Sequence, residues 1–145
     1  MQAHPKHDED FYGWAMATAS LLKNKQYQEV DMDSVIEELE SMGGSEKRAL
    51  ISCLAELLLH LLRWQYQPAL RGASWEISIT KQRIHLPRIL KLNPGLKSFL
   101  PEAIVDAFSD ARKLATKETK LDKKTFPKEC PYTFEQLMDD EYYPE

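Results

Sequence analysis

The longest apolar stretch of the chain is SEKRALISCLAELLLHLLRWQYQP, Ser45 to Pro68, where only Ser52, Glu56 and His60 are polar between Ala49 and Leu62. A helix over these residues is apolar around most of its circumference, which is how a helix enclosed by other helices reads. At about 100° per residue, Ser52, Glu56, His60 and Arg63 fall on one narrow stripe, while Leu50, Leu54, Leu57, Leu58, Leu61 and Leu62 face neighbours elsewhere. The run is shorter than the ~20 residues of a membrane span and charged at both ends, so it reads as the middle of a water-soluble helical bundle.

The flanking patterns supply the rest of that bundle. Asp8 or Asp10 caps a first helix on which Phe11, Trp14, Ala15, Thr18, Leu21 and Leu22 recur at spacings of three and four, ending near Asn24. Asp31 and Asp33 offer caps to a second, with Val35, Ile36, Leu39 and Met42 as its buried face, Glu37 and Glu40 outward, and Glu38 on the border. Gly43-Gly44 predicts a break, with Ser45 capping the central helix; because the helical phase carries across the glycines, one long kinked helix is the alternative. Pro68 ends the central helix. Ser74 caps a further helix with Trp75, Ile79, Leu86, Ile89 and Leu90 on one face, Ile77 and Ile84 on another, and a kink at Pro87. Pro101 and Glu102 open a helix carrying Ile104, Val105, Phe108, Ala111, Leu114 and Ala115 to near Thr119. Thr133 and Gln136 form a capping box for a short last helix reaching about Asp140. Leu121, Phe126, Tyr132, Phe134 and Leu137 dock residues 120–145 onto the bundle. With no alternating β-branched run longer than Ile77 to Thr80, the expectation is an all-α, single-domain bundle of about five main helices around the central one, preceded by a flexible stretch over residues 1–8.

A chain of 145 residues is long enough for one domain with a proper core. No basic-then-apolar leader opens it, which predicts a cytoplasmic protein, and two cysteines, Cys53 and Cys130, predict free thiols. Charge is uneven: between Arg63 and Lys97 there are seven basic residues against Glu76 alone. With Trp64, Tyr66 and Trp75 for stacking, that segment reads as a nucleic-acid surface. The net charge of −4 favours the plainer reading, in which the basic stretch pairs with the acidic second helix and tail.

The candidate polar site is Glu38, Glu56, His60 and Arg63. Glu56 and His60 stand four apart, a spacing that lets two side chains grip one ion, and Glu38 offers another carboxylate. Neither a Glu-x-x-His pair nor a His-Glu-x-x-His motif occurs, so the plainer reading is a hydrogen-bond network in which Glu56 meets His60 and Arg63 finds a carboxylate such as Glu38. No metal and no cofactor is assigned on this pattern. Ser52 and Cys53 lie in the most apolar part of the chain with no glycine-rich turn to present a nucleophile. His4 and His7 fall in the polar start and read as part of a tail. Trp64, Tyr66, Trp75 and Arg83 are the candidate surface or interface residues.

The segments DFYGWAMATASLL, EELESMGGSEKRAL, LLLHLLRWQYQP, SWEISITKQR, DARKLATKET and FPKECPYTFEQLMDDEYYP, in that order from about Asp10 to Pro144, resemble the bacterial family named "domain of unknown function 29". The resemblance implies a small bacterial, all-helical, single-domain protein with no assigned activity, so no catalytic residue carries over. Matching positions include Glu38, His60, Trp64, Tyr66, Pro68, Trp75, Arg83, Asp110 and Arg112; Pro87 departs from the pattern. Three functional expectations follow. The first is a non-catalytic interaction module binding a protein partner or a second copy, motivated by the second apolar face at Ile77 and Ile84. The alternatives are a metal-dependent enzyme using Glu38, Glu56 and His60 with Arg63 placing an anionic substrate, and nucleic-acid binding through residues 63–97.

Overall fold

The computed structural model describes residues 4–145, and every regular element among them is helical. The first helix, α1, is Phe11–Lys23, capped by Asp10, whose Oδ1 accepts from the Gly13 amide at 2.9 Å. A Cβ at residue 13 would meet that carboxylate, so any other residue there requires the Asp10 side chain to shift. At the other end Lys25 takes a left-handed conformation, φ 60°, and the Gln26 amide reaches the Leu21 carbonyl at 2.8 Å.

The second helix, α2, is Met32–Tyr66, 35 residues without interruption. The break expected at Gly43-Gly44 is therefore absent, and Ser45 is an interior helical residue rather than a cap. Two glycines cost about 1 kcal/mol each relative to alanine in a helix, but the residues on both sides keep one helical phase and include no proline. Asp31 does start α2 as expected, its Oδ1 accepting from the Ser34 amide at 3.3 Å and its Oδ2 from the Ser34 hydroxyl at 2.7 Å. These bonds hold the Asp31 carboxyl below its usual pKa.

The chain divides into two compact units, Met1–Gly44 and Ser45–Glu145. In the first, the buried side chains are Trp14, Thr18, Leu21 and Val30. The face expected to be buried on the early part of α2 is open: Ile36 is 50%, Leu39 60% and Met42 59% exposed, and of the expected face Val35 alone is half-buried. Periodicity establishes which residues share a face, not whether anything covers it. The start of the chain differs from expectation as well. Residues 1–3 lie outside the described residues, but His7, expected in a loose tail, packs edge-on against Trp14 with ring centroids 4.5 Å apart.

The second unit holds the remainder of α2 with α3, Ala73–Leu92, α4, Leu100–Thr119, and α5, Phe134–Met138. Leu50, Leu54, Leu57, Leu58, Leu61 and Leu62 are fully buried in one cluster with Ile79 and Leu86 of α3. Ala103, Ala107, Ala111 and Ala115, one helical turn apart along α4, are fully buried in the same cluster and leave room for the larger leucines. Helix α3 begins one residue earlier than its expected cap, with Gly72 at the N-cap and Ser74 inside. It runs on past Pro87 to Leu92; the proline nitrogen has no hydrogen to give the Arg83 carbonyl one turn back. Lys120, at φ 60°, ends α4 with its amide on the Thr116 carbonyl at 3.0 Å. Thr133 and Gln136 form the expected capping box, and α5 stops at Met138.

Candidate functional site

The polar stripe of α2 is partly assembled. His60 is buried, 7% exposed, and its Nδ1–H donates to the Glu56 carbonyl at 2.9 Å while lying 3.6 Å from Glu56 Oε1. The imidazole proton is thus spent on its own helix, one turn back. Arg63 does not meet Glu38. Its Nη1 pairs with Glu118 of α4 at 3.2 Å, and its guanidinium lies 4.5 Å from the centre of the Trp75 ring, so one side chain ties α2 to both α3 and α4. Ser52 and Glu56 are exposed and border a shallow depression with Asp110 and Lys113 of α4. Among the described residues no group of three His, Cys, Asp or Glu side chains is placed to hold a metal ion.

Glu38 is engaged within the first unit. Its Oε2 is 3.0 Å from His7 Nε2, and Asp8 Oδ1 is 3.0 Å from His7 Nδ1, so one imidazole bridges two carboxylates. The hydrogen bond to Glu38, followed by that to Asp8, raises the His7 pKa above its ordinary value. A raised folded-state pKa means that the stability supplied by protonated His7 is full below pH 6.5 and is lost as pH rises through the higher folded-state value. A ring-proton NMR titration is expected to place the His7 midpoint above 6.5 and to bring it back toward 6.5 in Glu38→Gln. An unshifted His7 in the parent chain would remove the bridge.

The four candidate interface residues are turned inward. Trp75 and Arg83 are 8% and 5% exposed, and half-buried Trp64 and Tyr66 pack tilted against Tyr143 at 4.7 Å and edge-on against Phe126 at 5.1 Å between ring centroids. Trp75 lies under the Arg63 guanidinium, while Trp64, Tyr66 and Arg83 contact the chain's own carboxyl-terminal segment. Arg83 does most of this: Nε donates to the Leu137 carbonyl at 2.9 Å, and Nη2 to those of Gln136 at 3.1 Å and Tyr142 at 2.9 Å. Burial lowers the pKa of this guanidinium. Arg71 adds a bond from Nε to the Trp64 carbonyl at 2.7 Å and one from Nη2 to the Pro144 carbonyl at 3.4 Å, and the Tyr132 hydroxyl donates to Gln65 Oε1 at 2.7 Å. Burial pushes the Tyr132 phenol well above its usual pKa. Three of the seven basic residues of the 63–97 segment are thus committed to the fold.

The role of Arg83 was missed by pattern reading, although its signal is present: 75, 79, 83, 86 and 90 repeat at helical spacing, which puts an arginine inside an apolar stripe. His7 carried no such signal, since nothing in a short polar start points to a carboxylate 31 positions on. Both cysteines are free and half-buried, and burial raises both thiol pKa values, which leaves neither poised as a thiolate.

Together, these elements define an all-helical protein with an inward-facing set of polar side chains. The chain belongs to the family described as domain of unknown function DUF29, whose profile matches residues 7–143. No curated protein and no solved structure matches it. None of its described helices is long and apolar enough to cross a membrane.

Proposed function

We propose that the chain is a non-catalytic helical interaction module whose partner is a second copy of itself. The observation that carries this reading is a pair of exposed apolar stripes of opposite charge. On the early part of α2, Met32, Ile36 and Leu39 are 45–60% exposed and are bordered by Asp33 and Glu40; residues 4–44 hold nine acidic side chains against three basic ones. On α3, Ile77 and Ile84 are 55% and 46% exposed and share their stripe with exposed Lys81, Arg88 and Lys91. Scattered exposed apolar side chains need no explanation, but two stripes at helical spacing, each edged by the charge the other lacks, are complementary surfaces. An acidic stripe meeting a like copy of itself would repel, so the pairing that fits is α2 of one copy on α3 of the next.

Size-exclusion chromatography with light scattering, run at low and high salt, tests it. The expected result is a dimer or larger assembly that weakens as salt rises and is lost in Ile84→Glu, while Leu70→Glu, at a position outside both stripes that is 60% exposed, associates as the parent does. A strict monomer at every concentration, or association indifferent to Ile84→Glu, would overturn the reading.

A further inference from the structure

One cavity of the second unit has the features of a ligand site. It is about 510 Å³, within the range of small-molecule pockets, and lies between α4 and the segment that follows it, with Val105 and Phe108 as an apolar wall and Ser109 beside them. Three cations border it: Arg112, Lys123 and Lys128. None has a carboxylate within 4.0 Å among the described residues, although Glu129 lines the same cavity.

Arg112 is also held in place. Its Nη2 donates to the carbonyls of Lys123 at 3.0 Å and Phe126 at 3.3 Å, fixing the plane of the guanidinium and tying the cavity's far wall to α4, while its Nε is buried and has no acceptor. A fixed guanidinium with donors to spare, two lysines and a serine hydroxyl are the donor set that carboxylate and phosphate groups require. The neighbouring Cys130 contributes little chemistry, because its thiol is half-buried and turned to the Tyr132 carbonyl at 3.5 Å.

We propose that this cavity binds a small organic oxyanion, a carboxylate or phosphate group carried on a short apolar body. The charged group lies against Arg112, Lys123 and Lys128, and the body lies against Val105 and Phe108. The site is formed wholly by residues 105–130 and is independent of self-association.

Isothermal titration of the full chain with benzoate, phenyl phosphate and benzyl alcohol separates the contributions, since the three share an aromatic body and differ in head group. Saturable binding of at least one anion is expected, with benzyl alcohol about tenfold weaker or worse. Benzoate alone assigns the head as carboxylate, phenyl phosphate alone as phosphate, and both together support the oxyanion class. The double variant Lys123→Gln, Lys128→Gln alters two exposed side chains and is expected to keep the helical circular dichroism of the parent while losing about tenfold in affinity. Arg112→Lys, which retains charge but not the fork, is expected to weaken binding as well. Absence of saturable binding by both anions, equal binding of the neutral alcohol, or an affinity unchanged in the double lysine variant would each overturn the proposal.

Discussion

Arg83→Ala is expected to lower the unfolding free energy by about 3 kcal/mol, the largest effect of any single polar substitution in the chain. The basis is three hydrogen bonds from one buried guanidinium to the carbonyls of Gln136, Leu137 and Tyr142. A hydrogen bond to a charged group contributes about 1.5–3 kcal/mol, and bonds from one side chain do not add in full. The carbonyls left behind recover some water because they lie near the end of the chain, which keeps the figure below the sum. Arg83→Lys is expected to rescue little, since a single ammonium cannot span acceptors that a planar fork reaches together. Denaturant titration measures the midpoint shift, and limited proteolysis reports whether residues past Thr133 are released first. A variant with parental stability and an uncut tail would show that the apolar contacts of Phe126 and Leu137 alone hold the segment.

Leu58→Ala is expected to destabilise by about 2–5 kcal/mol, because a fully buried leucine surrounded by leucines leaves a void that its neighbours close only in part. Leu39→Ala, the same change on the same helix, is expected to cost less than about 0.5 kcal/mol in solutions dilute enough to keep copies apart, because Leu39 is 60% exposed. The comparison removes helix propensity from consideration, since both substitutions gain the same small amount from it. Chemical denaturation of the two variants side by side checks it; similar losses would mean that Leu39 is covered in solution.

That pair of leucines also marks the boundary of what the sequence carries. The core of the second unit was readable because Leu50 through Leu62 is apolar on nearly every side, so the identity of the covering neighbour did not matter. The terminal caps were readable for a local reason: Asp10, Asp31, Thr133 and Gln136 satisfy amides within three residues of themselves. Val35 to Met42 has the same amphipathic spacing as a buried face, yet its burial depends on elements far along the chain, and no local pattern encodes that. The polar candidates divide in the same way. The four-residue spacing of Glu56 and His60 brings them together, although His60 bonds the Glu56 carbonyl rather than its carboxylate, whereas Glu38 with His7 and Arg63 with Glu118 are long-range choices among many carboxylates of equal reach. The cations around Val105 and Phe108 come from a helix and from a segment with no periodicity, and only the fold brings them to one cavity.

The unbroken course of α2 across Gly43 and Gly44 has a thermodynamic consequence. From Leu39 to Ala49 every residue except Gly44 is exposed, and a side chain at residue 43 would meet open space, so neither packing nor steric need opposes a richer helix former there. Apart from the Asn93 amide on Glu46 at 3.2 Å and the Lys47 ammonium 4.5 Å from the centre of the Phe99 ring, backbone hydrogen bonds sustain these three turns, and the two residues least suited to a helix sit among them. Transient opening of this stretch therefore requires far less free energy than opening the leucine-lined turns that follow, so amide exchange is fast over the glycines and slow beyond Leu50.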